Sequence, residues 1–187
     1  MTLRILGSSL VAAALLSLTA TAADKANFTP KTGDDLVKAV RHEILVYPHY
    51  TLWDDVSFRV DNGNVTLLGD VTQPYKKSDL QNIVKHVPGV ETVTNQLNVL
   101  PLSSNDDRLR IQVARAIFRD PALNRYAMGA IPSIHIIVDN GQVKLTGAVA
   151  TAMDKQIAGM RAAAAGLSFG PVDNQITVDT PTTAKHS

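Results

Sequence analysis

The 187 residues carry 18 Lys plus Arg against 17 Asp plus Glu, a net charge of +1 that excludes the strong basic field of a general nucleic-acid binder. No cysteine is present, which excludes disulfide staples and the cysteine that anchors a lipoprotein behind its signal.

Residues 1–22 read as a secretory signal peptide. Arg4 supplies the positive start, Ile5 to Leu18 is dominated by Ala, Leu and Val, and Ala20-Thr21-Ala22 has the small-residue cleavage pattern. The apolar run is shorter than the roughly 20 residues that cross a bilayer. An uncleaved N-terminal anchor is the alternative. The expectation is export with cleavage near Ala22 and a mature chain that is periplasmic.

The first helix is announced at Thr32-Gly33-Asp34-Asp35, a capping-box spacing followed by Leu36, Val40 and Ile44, and Pro48 stops it. Val56, Phe58 and Val60 then alternate with Ser57 and Arg59 as a half-buried strand does. Asn62-Gly63 predicts a tight turn, and Val65 and Leu67 begin the return strand, with Gly69 marking a bend or close backbone approach. Thr72 is read as the cap of a second helix that starts at Pro74 and carries Leu80, Ile83, Val84 and Val87; Lys76-Lys77 is read as its solubilising charge. Val93, Asn95, Leu97 and Val99 predict a closing strand.

The same order then returns. Val60-Asp61-Asn62-Gly63-Asn64-Val65-Thr66-Leu67-Leu68-Gly69 recurs as Val138-Asp139-Asn140-Gly141-Gln142-Val143-Lys144-Leu145-Thr146-Gly147, with seven of ten positions identical at an offset of 78. A repeat of about 70 residues is too long for a solenoid turn and suits a small domain. Ser104-Asn105-Asp106-Asp107 opens the second copy ahead of Leu109, Val113 and Ile117, and Pro121 ends that helix. Ile134, Ile136 and Val138 form its first strand; Thr151 with Asp154 caps its second helix, and Gly166 is placed for the C-cap. Asn174, Ile176 and Val178 close it, through an Asn-Gln pair shared with the first copy (Asn95-Gln96, Asn174-Gln175). The offset grows from 73 at Leu36/Leu109 to 78 at the hairpin, so the second copy holds a loop longer by about five residues around Asn124 to Pro132.

The fold class is therefore α+β: two tandem αββαβ domains, each a three-stranded mixed sheet covered on one face by two helices. The expected boundaries are 32–101 and 104–180, with 181–187 as a disordered tail. Residues 31–101 hold 7 basic and 9 acidic side chains and residues 102–180 hold 8 and 7, so an anionic partner suits the second domain better.

The Val-x-Asx-Gly-x-Val-x-Leu-x-Gly core, the order of elements and the exit Val90-Glu91-Thr92-Val93-Thr94-Asn95-Gln96-Leu97 resemble the BON domain, named for bacterial osmotically inducible and nodulation proteins. The likeness covers 32–100 and 105–179, with a departure at Ala162 to Phe169, where an alanine-rich run and Gly166 replace Pro88-Gly89-Val90. Two such domains behind a secretory signal are similar to the periplasmic osmotic-stress proteins of that family. The resemblance implies cell-envelope maintenance: attachment to phospholipid surfaces or envelope components, without catalysis.

The residues offer little catalytic chemistry. No G-x-S-x-G, H-E-x-x-H, P-loop or dinucleotide fingerprint occurs, and His42, His49, His86, His135 and His186 are scattered without ligand spacing. No enzyme, cofactor or metal site is expected. Asp34-Asp35 and Asp106-Asp107 are explained as helix starts.

The sharper candidate is the first helix of repeat two, where Arg108, Gln112, Arg115 and Arg119 fall on one line, bordered by Ile111 and Phe118. A basic stripe beside large apolar residues suits anionic lipid heads, each charge contributing on the order of 1 kcal/mol. Arg125, Tyr126 and Met128 of the longer loop extend the surface, giving Arg108, Ile111, Arg115, Phe118, Arg119, Arg125 and Tyr126 as lipid-contacting candidates. The alternative is a solvated helix face with Ile111 and Phe118 packed under the loop or against repeat one. Lys38, Arg41 and His42, diluted by Glu43, make a weaker version in repeat one. Trp53 with Tyr47 and Tyr50 reads as a core plug or, alternatively, an interfacial aromatic cluster. The leading expectation is peripheral binding to an anionic phospholipid membrane; the competing ones are a periplasmic holdase-type chaperone for unfolded clients and an adaptor to envelope proteins.

Overall fold

The structure, a computed structural model, describes residues 33–129, 131–166 and 169–179. Thr32, the expected signal peptide and the expected tail lie outside the described residues.

Repeat one runs α1 (Gly33–Leu45), β1 (Asp55–Asp61), β2 (Asn64–Val71), α2 (Pro74–Lys85) and β3 (Thr92–Val99). Repeat two runs α3 (Ser104–Phe118), a 3₁₀ turn (Asn124–Ala127), β4 (Ile134–Asp139), β5 (Gln142–Val149), α4 (Ala152–Ala164), β6 (Asp173–Asn174) and β7 (Thr177–Val178). In each, an antiparallel hairpin is joined by a strand parallel to its second arm, which makes the mixed αββαβ sheet expected from the sequence. β6 and β7 hold one register against β5, from Lys144 opposite Asp173 to Val149 opposite Val178, so they are two pieces of a single edge strand.

Local chemistry explains the turns. Asn62 and Gly63 have φ of 47° and 82°, and Asn140 and Gly141 have 50° and 76°, the left-handed pair that a two-residue hairpin needs. Gly69 and Gly147 (φ 113° and 99°) sit inside the return strands; a Cβ there would lie 2.0 Å from the carbonyl oxygens of Asp55 and Ser133. α1 and α3 end before Pro48 and Pro121 as predicted.

Two caps differ from the sequence reading. α3 is capped by Ser103, not Ser104, its side chain accepting from the Asp106 N–H. α2 starts after Gln73 with no side-chain cap, because the Thr72 N–H and hydroxyl both turn to Asp54 instead. Thr151 caps α4 as expected, accepting from the Asp154 N–H.

Each repeat encloses its own core on the helix-covered face of its sheet. Leu36, Val40 and Ile44 meet Val65, Leu67, Leu80, Val84 and Leu97 in repeat one. Leu109, Val113 and Ile117 meet Ile134, Ile136, Val143, Leu145, Ala158 and Ile176 in repeat two. An asparagine clamps each closing strand to the helix before it. The Asn95 amide donates to the Lys77 carbonyl (2.7 Å) while its oxygen accepts from Leu97 N–H; Asn174 does the same with Lys155 (2.8 Å) and Ile176.

The repeats dock on one another through the segment before β1. The Ile136 N–H on the outer edge of β4 donates to Leu52 O (2.8 Å), and His135 Nδ1 meets Asp54 O at 2.7 Å. Leu52 and Trp53 pack against the core of repeat two, and the Tyr50 ring lies against His135 at 5.4 Å. Lys144 spans the junction to Asp70 (2.6 Å) and Asp55 (3.6 Å). The aromatic cluster is thus a plug, with Tyr47 in the first core and Trp53 between the repeats.

Candidate functional site

α3 is held at both its first turn and its middle. The buried Asp106 carboxylate accepts from the N–H groups of Asn140 (3.1 Å) and Gly141 (2.8 Å), fastening the helix to the β4–β5 turn. Arg110 lies almost wholly buried, donating to Val138 O (2.6 Å) and pairing with Asp107 (2.5 Å). These bonds fix the rotation of α3 about its axis. With 100° per residue, Arg108, Gln112, Arg115 and Arg119 must then face away from the sheet, and all four are exposed. Arg108 bonds Asn105; neither Arg115 nor Arg119 makes an ion pair among the described residues.

The other candidates separate. Ile111 is exposed, but on the side facing repeat one, where it lines a cleft of about 460 Å³ with Trp53, Tyr75 and Leu102. Phe118 is half-buried against the core of repeat two. Arg125 pairs with Asp154 (2.7 Å) and lies over the Tyr126 ring at 4.9 Å, leaving its side chain about half exposed. Tyr126 is not a surface residue. Its ring fills the core, and its hydroxyl donates to Asp154 (2.9 Å) and accepts from the Ala150 N–H (2.8 Å). Within the longer loop Leu123 and Tyr126 plug the core while Arg125 and Met128 stay at the surface, so Tyr126 leaves the contact set.

Lys76 requires a similar correction. It is buried, and its ammonium donates to Asp54 at 2.7 Å. Burial alone would raise the Asp54 carboxyl, but bonds from Lys76, Thr51 and Thr72 hold it below the usual carboxylate range. Asp154 behaves alike: burial opposes, and Thr151, Tyr126 and Arg125 together win. These buried acids are committed to structural bonds, which leaves them unsuited to proton transfer. Among the described residues no cluster of three or more His, Asp or Glu is arranged to hold a metal. No described helix is long and apolar enough to cross a membrane.

One exposed residue beside the stripe escaped the sequence reading. Phe169 is 85% exposed and stands across a groove of about 350 Å³ from Arg108, Leu109 and Gln112. Its only sequence signal was the departure from repeat one at Ala162 to Phe169, which reads as a weakened helix exit.

Two solved structures resemble parts of the chain. One is described as CdsD, a structural protein of the type III secretion system of Chlamydia trachomatis: 20% identity, 77% of this chain, 61% of that chain and a TM-score of 0.30. The other, its C-terminal domain, has 15% identity, 80% of this chain, all of that chain and a TM-score of 0.28. The chain thus spans less than two thirds of the first of these proteins. No curated protein matches it. The BON domain profile matches twice, over residues 34–101 and 105–180, the two units built above around Asn62-Gly63 and Asn140-Gly141, and the chain belongs to the BON domain family.

Proposed function

We propose that this protein is a non-enzymatic envelope protein of the periplasm that attaches peripherally to anionic phospholipid through its second repeat. The observation that carries the reading is the row Arg108, Arg115 and Arg119 on a helix whose rotation is locked by Arg110 and Asp106. Guanidinium groups suit phosphate oxygens because their forked N–H donors bind two oxygens at once. A fixed helix presents them with no backbone ordering cost on docking, leaving only the side-chain rotamers to be ordered. Charges exposed on a surface are screened by salt, so binding should weaken as ionic strength rises.

Co-sedimentation of the chain with anionic and neutral vesicles tests this. Binding to anionic vesicles alone, reduced by salt and lost in Arg115→Glu/Arg119→Glu, is the expected result. Equal pelleting on neutral vesicles, or no pelleting at low salt, removes the reading.

A second reading draws on the cleft between the repeats, where Leu102, Tyr75 and Ile111 stay exposed. Exposed apolar side chains around a concavity suit an unfolded client or an envelope protein. That reading expects suppression of client aggregation that survives salt and the Arg115→Glu change.

A further inference from the structure

We infer that Phe169 is a membrane wedge, the side chain that enters the apolar layer while the α3 arginines hold the headgroups. The inference rests on the lipid reading and adds to it which residue penetrates.

Repeat one supplies the comparison. There the Glu91 N–H donates to Gly63 O at 2.8 Å, and in repeat two the Phe169 N–H donates to Gly141 O at 2.9 Å. The same backbone bond, on the same hairpin glycine, therefore presents a carboxylate in one copy and an aromatic ring in the other. The helix face beside it changes in the same sense. At the offset of 73, Asp35 and His42 of α1 stand where α3 has Arg108 and Arg115. Repeat one thus carries acids at the two positions where repeat two carries an arginine and a phenylalanine. Anionic lipid repels the first combination and accepts the second.

The ring also has a seat. It lies against Gly141 so closely that a Cβ on the glycine would come 2.1 Å from Phe169 Cδ2. Gly141 is needed twice, for its φ of 76° and for the seat it gives the ring. One face of the phenyl rests on backbone while the side chain as a whole is 85% exposed. A large exposed apolar group is unfavourable in water and gains by entering an apolar phase. The arginines are fixed relative to it, because Asp106 ties the first turn of α3 to the N–H of the same Gly141. Charge and wedge are thus mounted on one turn, an arrangement matching a bilayer interface, where headgroup charge lies above hydrocarbon.

The test uses vesicles of anionic phosphatidylglycerol with phosphatidylcholine brominated in the acyl chain. Phe169→Trp and Glu91→Trp are compared in the full chain, with the emission of native Trp53 subtracted as measured on the unsubstituted chain. Vesicle binding with a blue shift and bromine quenching from position 169, and neither from position 91, is the expected result. Phe169→Ala should weaken vesicle affinity about tenfold, and Phe169→Glu should weaken it further. Salt-sensitive pelleting of both Trp variants without quenching at position 169 would overturn the wedge and leave the arginine contact standing. Failure of the unsubstituted chain to pellet would overturn both. Circular dichroism of Phe169→Ala and Phe169→Glu separates lost affinity from lost fold.

Discussion

The two repeats solve one packing problem with opposite charges. In each, the segment between the first helix and the first strand must be tied to the start of the second helix. Repeat one places the acid in the segment, at Asp54, and the base in the helix, at Lys76. Repeat two places the base in the segment, at Arg125, and the acid in the helix, at Asp154. The lesson lies in exposure. Lys76 and Asp54 are both sealed from solvent, whereas Arg125 is about half exposed and has an aromatic ring beneath it. The cores differ as well. Leu80 and Val84 of α2 give way to Ala158 and Ala162 of α4, while the half-buried Val56 and Phe58 of β1 give way to the fully buried Ile134 and Ile136 of β4. The helix side chains of repeat two are thus smaller, and its strand side chains are buried more deeply.

The largest effect is expected where that comparison is broken. Asp54→Ala strands the Lys76 ammonium in the interior and should cost about 3–5 kcal/mol, measured by chemical denaturation. Asp154→Ala leaves Arg125 free to turn into water and takes the acceptor from the Tyr126 hydroxyl, and should cost less, about 1–3 kcal/mol. Equal losses would show that the two ties differ in sign only.

Where the repeats agree, paired substitutions should agree as well. Gly69→Ala and Gly147→Ala each force a Cβ onto a carbonyl oxygen at positive φ, and each should cost about 2–3 kcal/mol or more. A tolerated change at one site alone would mean that the two bends are not equivalent.

The junction sets a pH dependence. Burial holds the His135 imidazole below its ordinary value, although Asp54 and Asp55 face it and act in the opposite sense. A depressed folded value means that the unfolded chain binds the proton first. Stability is therefore full above about pH 6.5 and is lost as pH falls from there through the folded value. The depressed carboxyls of Asp54 and Asp154 act in a separate window, below about pH 4. Thermal unfolding followed from about pH 7.5 to 5 should show the loss, and His135→Gln should flatten it.

The smallest effect separates the edge strands. Asn174→Ala should cost about 1 kcal/mol and speed amide exchange at Ile176 and Thr177, since β6 and β7 pair only in short pieces. Asn95→Ala removes the same clamp from a strand paired along its whole length, and exchange there should change less.

The candidate stripe was legible because an α-helix has a fixed period, so Arg108, Arg115 and Arg119 align from spacing alone. Arg110 lies about 200° around the helix from Arg108, and its burial against Val138 O depends on a strand 28 residues distant. Phe169 was legible only as a mismatch with repeat one; its seat on Gly141 belongs to a bond across the fold.

What the amino-acid sequence determined by itself is what short-range chemistry decides. The Asn-Gly turns, the alternating strands and the helices ending ahead of Pro48 and Pro121 follow from residues a few positions apart, and the duplication from the recurrence of those local patterns at an offset of 78. Tertiary structure alone decided the fate of groups whose environment is built by distant chain. Lys76 became a buried partner of Asp54, Tyr126 a core plug, and Leu52 a strand-edge acceptor for Ile136, which set how the two repeats meet. Burial and charge pairing are properties of a surrounding volume, and no local window of sequence contains that volume.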